Sequence, residues 1–197
     1  MLLSPQRLVA DGLLEERDLA GAPPCPPGRA DYRTCETGKD RLLEVLWQRV
    51  AGRPMPDGFD DFCNRHAAWL DDYALFEVIR RARRERAWTR WPADLRDRQR
   101  EALDAVRRAA GEALARVKLV QFLFHRQWTA LRSYCNGRGI RIIGDLPFYV
   151  AHDSADVWAH RDCFKLDSAG RVARMAGTPP DYFSRTGQLW GNPVYDW

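Results

Sequence analysis

The sequence NGRGIRIIGD, residues 136–145, decides the fold class of this chain. It follows a segment, residues 117–135, in which apolar residues recur every three or four positions, and this spacing predicts a long helix. The two glycines after Asn136 are placed to end that helix. Residues 140–144 are a short β-branched run and predict a strand buried on both faces. A helix that leads through a glycine turn into a buried strand is half of a βα unit, so we expect an α/β fold.

The chain before this point is predicted to be mainly helical. Ser4 and Pro5 form an N-cap and first-turn pair, and Gly12 is placed to end a short first helix. A proline-rich break at residues 21–28 then interrupts the pattern.

Two longer helices are expected after the break. The second begins near Lys39, and its apolar residues fall on one face of the helix. The third covers residues 60–86, and Pro92 limits its extension because proline disfavours helix at the residue before it.

The composition predicts a globular chain and excludes several classes of protein. Of the 197 residues, 45% are hydrophobic and 29% are charged, whereas a disordered chain has few apolar residues and a high net charge. Residues 1–14 contain no basic region followed by an apolar stretch, and no later segment has about eighteen consecutive apolar residues. We therefore expect no signal peptide, no membrane span and a cytoplasmic location.

Arginines are concentrated between Arg80 and Arg108. Eleven arginines in this stretch stand against five acidic residues, and a basic segment of this kind is one way to bind nucleic acid. No recognised nucleic-acid motif accompanies them, and interleaved acidic residues are typical of solvated helix faces. We expect no nucleic-acid partner and keep nucleic-acid binding as the weaker alternative.

The cysteines and histidines do not predict a metal site. The five cysteines are odd in number and form no C-x-x-C pair, which favours free thiols over disulfides or structural zinc. His152, Asp156 and His160 are four apart and would align on a continuous helix. Asp153 and Asp156 have instead the spacing of a helix cap, which conflicts with helix at His152, so we favour the cap.

Two features indicate a ligand site. Asp145 directly follows the predicted strand, and ligands bind at the carboxyl ends of strands in parallel α/β folds; the alternative is that it caps a turn before Pro147. Residues 178–197 combine aromatic rings with polar side chains and many glycines and prolines. They predict a structured loop rather than a helix or strand. Rings beside carboxylate and amide groups suit sugars, although the rings could instead pack on their own domain.

Several ordered motifs resemble a known family over essentially the whole chain. They are WLDDYALF (69–76), FLFHRQW (122–128), GDLPFYV (144–150), DSADVW (153–158), PPDYFS (179–184) and GQLWGNP (187–193). They are similar to motifs of the 4-alpha-glucanotransferases, also called amylomaltases or disproportionating enzymes, of glycoside hydrolase family 77.

The resemblance implies a fold and an activity. The expected fold is a partial (β/α)8 TIM barrel with a mainly α-helical insertion: residues 1–136 would form the insertion, and residues 137–197 a barrel segment with a substrate-binding loop. The implied activity is transfer of α-1,4-glucan segments between maltooligosaccharides, with no cofactor, because a retaining mechanism needs only a pair of carboxylates.

The resemblance also assigns substrate-binding residues. Asp145 would lie at the substrate-facing end of an early barrel strand, and the other residues would lie on a loop over the donor sugar and in the wall beside it. These others are Asp181, Tyr182, Phe183, Ser184, Trp190 and Asn192.

The catalytic motifs of the family do not occur in this sequence. The family's nucleophile is an aspartate in an R-x-D-H-F-R-G strand and its acid/base is a glutamate in an E-D-L-G segment, and neither string is present. We therefore assign no catalytic residue and expect an internal piece of an amylomaltase that is inactive on its own. The alternative from another class is a non-catalytic glucan-binding module.

Overall fold

The structure is a computed structural model that describes residues 2–20, 28, 31–84 and 86–197. Most of the predicted break at residues 21–28 lies outside the described residues. The helices are α1 (Pro5–Ala10), α2 (Glu16–Leu19), α3 (Tyr32–Val50), α4 (Phe59–Ala82), α5 (Ala93–Arg96), α6 (Arg100–Ala109), α7 (Gly111–Asn136) and α8 (Ala155–Ala159). Single 3-10 turns occupy Trp88–Arg90 and Arg161–Cys163, and the strands are β1 (Met175–Thr178) and β2 (Gln188–Pro193).

The predicted helices form, with shifted ends. Ser4 caps α1 by accepting a hydrogen bond from the backbone N–H of Arg7, as the sequence predicts. The second helix, α3, begins at Tyr32 rather than near Lys39, because Asp31 caps it through the backbone N–H of Thr34 at 3.1 Å.

The third helix, α4, ends at Ala82 rather than at residue 86. Arg84, two residues later, has a left-handed backbone with φ of 56°. A right-handed helix cannot continue through that conformation, so the chain leaves the helix there.

The long helix α7 is confirmed, and Gly139, with φ of 73°, follows its end. The strand predicted at residues 140–144 is wrong for this structure: these residues are exposed and have no regular secondary structure, and no other segment of the described chain pairs with them. A strand obtains its ladder hydrogen bonds from a neighbour, and none of the described residues supplies one.

The prediction that residues 178–197 contain no strand is also wrong. Strand β2 pairs antiparallel with β1, with Thr178 opposite Gln188 and Gly177 opposite Leu189. A Cβ on Gly177 would lie 2.2 Å from the backbone oxygen of Gln188. The glycines that look like strand breakers in the sequence therefore permit the close approach of this hairpin.

The described chain divides into two compact units, each discontinuous in sequence. The first comprises residues 1–65 and 118–142, and the second comprises residues 66–117 and 143–197. In the first unit Phe122 of α7 packs edge-on against Phe59 and Phe62 of α4, with ring centroids 5.8 and 5.6 Å apart. The stripe predicted on α7 is only partly buried there, since Trp128 and Leu131 line an open cavity of about 570 Å³.

The second unit has an aromatic core. The rings of Phe76, Trp91 and Trp158 lie 5.3 to 5.9 Å from one another. The indole N–H of the fully buried Trp158 donates to the backbone oxygen of Leu95 at 3.1 Å, so its polar atom is satisfied inside the core. This core supports the segments that carry the candidate site.

Within the described residues, none of the helices has the length and apolar character that crossing a membrane requires. The four described cysteines form no disulfide.

Candidate functional site

Strand β2 lies against the segment that follows Asp145. The side-chain amide of Asn192 donates to the backbone oxygen of Val150 at 2.8 Å, and the ring of Trp190 lies edge-on to Tyr149 at 5.9 Å. The structure therefore brings two of the predicted site residues to residues 144–150, which also carry Asp145.

Further rings extend this contact into a continuous aromatic cluster, in which Phe164 is buried and Trp197 is exposed. Tyr149 stacks on Tyr195 at 6.2 Å with an interplanar angle of 14°, and Tyr195 stacks on Phe164 at 5.0 Å. Phe148 lies 5.0 Å from Tyr149, and Trp197 lies 5.4 Å from Tyr195. We call this set the aromatic wall: Phe148, Tyr149, Phe164, Trp190, Tyr195 and Trp197.

Of the aromatic wall, only Trp190 is among the site residues predicted from the sequence, and Tyr149 is the central member of those that were missed. It joins Trp190 on one side to Tyr195 on the other. The signal in the sequence is the adjacent pair Phe148 and Tyr149, three and four residues after Asp145. An aromatic pair so close to a candidate carboxylate is a reason to include both in the site.

Residues 181–184 form a tight turn in the connection between β1 and β2. The Oδ1 atom of Asp181 accepts from the backbone N–H groups of Phe183 and Ser184, at 2.9 and 2.7 Å. The hydroxyl of Ser184 donates to the backbone oxygen of Gly187 at 2.7 Å. Asp181 and Ser184 thus hold the shape of the turn.

The same turn presents two unburied rings. Tyr182 is 95% exposed and Phe183 is 90% exposed, and their centroids are 5.5 Å apart in an edge-on arrangement. Adjacent exposed rings form an apolar patch of the kind that marks a contact with a ligand or with another polypeptide segment. None of the described contacts joins this turn to Asp145.

Asp145 is exposed, and its Oδ1 accepts from the backbone N–H of Leu146 at 2.9 Å. This bond is the local turn contact that the sequence offers as the alternative to ligand binding. Because a carboxylate can accept several hydrogen bonds, the contact leaves Asp145 able to accept from a ligand as well.

Residues 152 and 153, which follow Val150, are held by the buried Trp88, and Asp153 does not form the predicted helix cap. The carboxylate of Asp153 accepts from the backbone N–H of Trp88 at 3.1 Å, and the Trp88 indole donates to the backbone oxygen of His152 at 2.8 Å. Ser154, not Asp153, caps α8, accepting from the backbone N–H of Val157. The cap prediction is therefore one residue off, because Asp153 is used in a tertiary contact.

No metal-binding arrangement is found in the described part of the chain. His152 lies outside α8, and its Nε2 atom is 2.7 Å from the backbone oxygen of Gly170. His160 follows the last residue of the helix. The continuous helix that would align His152 with Asp156 and His160 does not form.

Among the described groups of this unit, Asp97 has a strongly shifted pKa, and its partner Arg161 also contacts Trp88. Hydrogen bonds from Arg96, and then from Arg161, hold the pKa of Asp97 at about 2, against an ordinary value of 3.8. The Arg161 guanidinium lies 4.5 Å from the Trp88 ring centroid, a cation–π contact. This ion pair therefore supports the tryptophan that anchors residues 152 and 153.

Taken by its chemistry, the surface combines flat, partly exposed rings with a carboxylate and an amide. Pyranose rings offer apolar C–H faces and a rim of hydroxyls, so this combination defines a surface suited to a sugar.

Comparison with known proteins gives the family. The model of the 4-alpha-glucanotransferase family matches residues 1–197. A relative from Thermus thermophilus, a 4-alpha-glucanotransferase, is 45% identical over 178 residues, which are 89% of this chain and 36% of the relative. A 4-alpha-glucanotransferase from Synechocystis is 43% identical over 200 residues, covering 100% of this chain and 40% of the relative.

A solved structure agrees with these relatives. The amylomaltase from Streptococcus agalactiae in complex with acarbose matches with a TM-score of 0.92 and 32% sequence identity, over 100% of this chain and 40% of that chain. This chain belongs to the 4-alpha-glucanotransferase family. It spans between about a third and two fifths of the length of the relatives named here.

Proposed function

We propose that this chain forms part of the glucan-binding wall of a 4-alpha-glucanotransferase, which transfers α-1,4-glucan segments between maltooligosaccharides. One observation carries the proposal: Asn192 ties the β1–β2 hairpin to Val150, which sets Trp190 beside residues 144–150. Family membership supplies the substrate class.

The proposed fold of the whole enzyme is a (β/α)8 TIM barrel. In it, residues 137–197 are an arc of the barrel and residues 1–136 are a mainly helical insertion. The exposure of the apolar residues at 140–144 supports this assignment: Ile143 is 94% exposed, and apolar surface of this kind is normally covered by another segment. The likeness to a solved amylomaltase supports it further.

Each site residue has a proposed role. Tyr182 and Phe183 stack on sugar faces, while Asp181 and Ser184 hold the turn that presents them. Trp190 adds a further ring, and the carboxylate of Asp145 accepts hydrogen bonds from sugar hydroxyls. Asn192 contributes chiefly by positioning, since its amide N–H is already donated to Val150. Binding of this kind needs no cofactor.

Turnover requires groups that these 197 residues do not provide. A retaining transfer needs one carboxylate as nucleophile and a second as acid/base, and neither family motif occurs in the sequence. The chain alone is therefore proposed to bind maltooligosaccharides, in the cytoplasm, without cleaving them. Binding without turnover is also what a non-catalytic glucan-binding module would show.

A maltoheptaose titration followed by calorimetry tests the binding proposal. Trp190→Ala and Tyr182→Ala should each weaken binding roughly fivefold, because each removes one stacking ring. Tyr32→Ala is the matched control, since Tyr32 is an exposed aromatic residue of the first unit. Equal affinity for the wild type and for the Trp190 and Tyr182 variants would contradict the proposal.

A second experiment tests turnover. The chain is incubated with maltotriose, and the products are separated by chromatography. We expect neither glucose nor longer oligomers to form. Clear disproportionation would contradict the proposal that the two catalytic carboxylates are not among these 197 residues. A competition titration with acarbose adds a test of the binding site. Acarbose is bound by the solved amylomaltase, so it should compete with maltoheptaose for this chain.

A further inference from the structure

A cavity lined by arginines lies just beyond the end of α4, in the second unit. Its volume is about 500 Å³. Its charged and apolar lining includes Arg83, Arg84, Arg86, Arg90, Trp91 and Pro92. Residues 83–92 contain a single acidic residue, Glu85, which lies outside the described residues. This segment has four guanidinium groups and at most one carboxylate, so the cavity carries net positive charge.

The arginines of the cavity differ from those around it. Arg80 pairs with Glu77 at 3.7 Å, Arg96 with Asp97 at 2.8 Å, and Arg98 with Asp72 at 2.6 Å. Within the described part of the chain, the guanidinium groups of the four cavity arginines form neither an ion pair nor a hydrogen bond to any other described residue. Their charge is therefore available to a ligand.

Helix stabilisation explains only part of the cluster. Cations near a helix C-terminus interact favourably with its dipole, and Arg83 and Arg84 directly follow α4. Arg86 and Arg90 lie further along the chain and still line the same cavity. Convergence of side chains from outside the helix is what an anion site requires.

We propose that this cavity binds a phosphate group carried on a sugar. Guanidinium groups match phosphate oxygens in paired hydrogen bonds, which favours phosphate over a simple point anion. The volume lies within the range of small-molecule sites and exceeds what a free phosphate ion fills. The exposed ring of Pro92 supplies an apolar face for the sugar, and the buried Trp91 lies behind it as part of the cavity wall. The cavity shares no residue with the aromatic wall, and its assignment does not depend on the proposed function.

Titration with glucose 6-phosphate tests the proposal. The Trp91 indole N–H donates to the backbone oxygen of Arg86 at 2.9 Å, so its NMR signal reports on the cavity wall. We expect this signal to shift with glucose 6-phosphate, to shift at higher concentrations with inorganic phosphate, and not to shift with glucose. Added salt should weaken the binding.

Substitutions separate specific binding from general charge attraction. The double variant Arg86→Gln, Arg90→Gln should weaken glucose 6-phosphate binding at least about tenfold, because it removes two charge-assisted contacts. The matched double variant Arg107→Gln, Arg108→Gln removes the same charge from α6 of the same unit and should leave the affinity within about twofold. Arg90→Lys keeps the charge and loses the planar fork, so it should give an intermediate loss even if the double variant does not fold.

Four results would overturn the proposal. The first two are an unshifted Trp91 signal with glucose 6-phosphate and equal weakening of binding by the two double variants. The third is inorganic phosphate binding as tightly as glucose 6-phosphate, and the fourth is a short RNA that binds more tightly than glucose 6-phosphate through Arg86 and Arg90. The last result would assign the cavity to nucleic acid.

Discussion

The side-chain amide of Asn192 and the backbone oxygen of Val150 are joined by a hydrogen bond of 2.8 Å across 42 positions of sequence. Both residues are half-buried, so the bond is partly shielded from competing water. It connects β2 to the segment that carries Asp145. The position of Trp190 relative to Tyr149 depends on this connection.

Asn192→Asp should weaken both folding and glucan binding. The substitution keeps the shape of the side chain but removes the N–H donor and places a carboxylate against the Val150 oxygen. Leaving a half-buried carbonyl without its donor costs about 1–3 kcal/mol, which urea denaturation measures, and maltoheptaose affinity should fall as well. Gln188→Ala is the control for the stability measurement, because its side-chain oxygen accepts from the exposed Trp190 indole and makes no other side-chain hydrogen bond to a described residue. Wild-type affinity in Asn192→Asp would show that the bond does not position the wall.

Gly170→Ala should destabilise the second unit strongly. A Cβ at this position would lie 2.3 Å from Cη2 of the Trp88 ring. Trp88 is fully buried and held by its bond to the His152 oxygen, so it cannot move aside cheaply. The left-handed φ of 78° adds a further penalty. We expect a loss of about 3 kcal/mol or more in the free energy of unfolding, measured in urea.

Gly191→Ala is the control for that measurement. Gly191 also has a left-handed φ, of 81°, but a Cβ there would meet nothing within 4 Å. It should therefore cost only the backbone penalty of about 1–2 kcal/mol. Equal losses for the two variants would mean that Trp88 can relax around an added methyl group.

Gly177→Ala should disrupt the hairpin. Its Cβ would lie 2.2 Å from the backbone oxygen of Gln188, on the facing strand. Because a backbone atom cannot rotate away as a side chain can, the strands must separate locally. We expect faster amide hydrogen exchange in residues 188–193 and weaker maltoheptaose binding. Unchanged exchange in β2 would contradict this prediction.

The sequence predicts the helices well because their signals are local. Ser4 caps α1 from three residues away, and the glycines after α7 stop it directly. The strands depend on distant partners. Residues 140–144 have strand-like side chains but no neighbour among the described residues, and β2 exists because Gly177 lets another strand approach.

The candidate site shows the same division. Motif resemblance predicts Trp190 and Asn192 as site residues. It does not predict that the side-chain N–H of Asn192 donates to the backbone oxygen of Val150. The cap of α8 is misassigned because Asp153 and Ser154 are adjacent acceptors. A contact with Trp88, 65 residues away, takes Asp153 and leaves Ser154 to cap the helix.

The ion pair of Asp97 predicts a pH dependence of stability. Its carboxylate accepts from Nε and Nη2 of Arg96 at 2.9 and 2.8 Å and from Nη1 of Arg161 at 2.9 Å. These bonds lower the pKa of Asp97 from 3.8 to about 2 in the folded chain. A lowered folded-state pKa means that the charged carboxylate favours folding. The contribution is complete above about pH 4 and is lost as the pH falls towards about 2.

Urea denaturation at a series of pH values compares the wild type with Asp97→Asn. The difference in free energy of unfolding between them should be constant near neutral pH and should shrink between about pH 4 and pH 2. The comparison is needed because Asp31 and Asp167 also have lowered pKa values, through hydrogen bonds from Thr34 and Arg171 respectively, and contribute to the wild-type slope. Arg161→Gln should retain part of the dependence, because Arg96 still binds Asp97. A difference that stays constant down to pH 2 would show that the ion pair does not stabilise the folded chain.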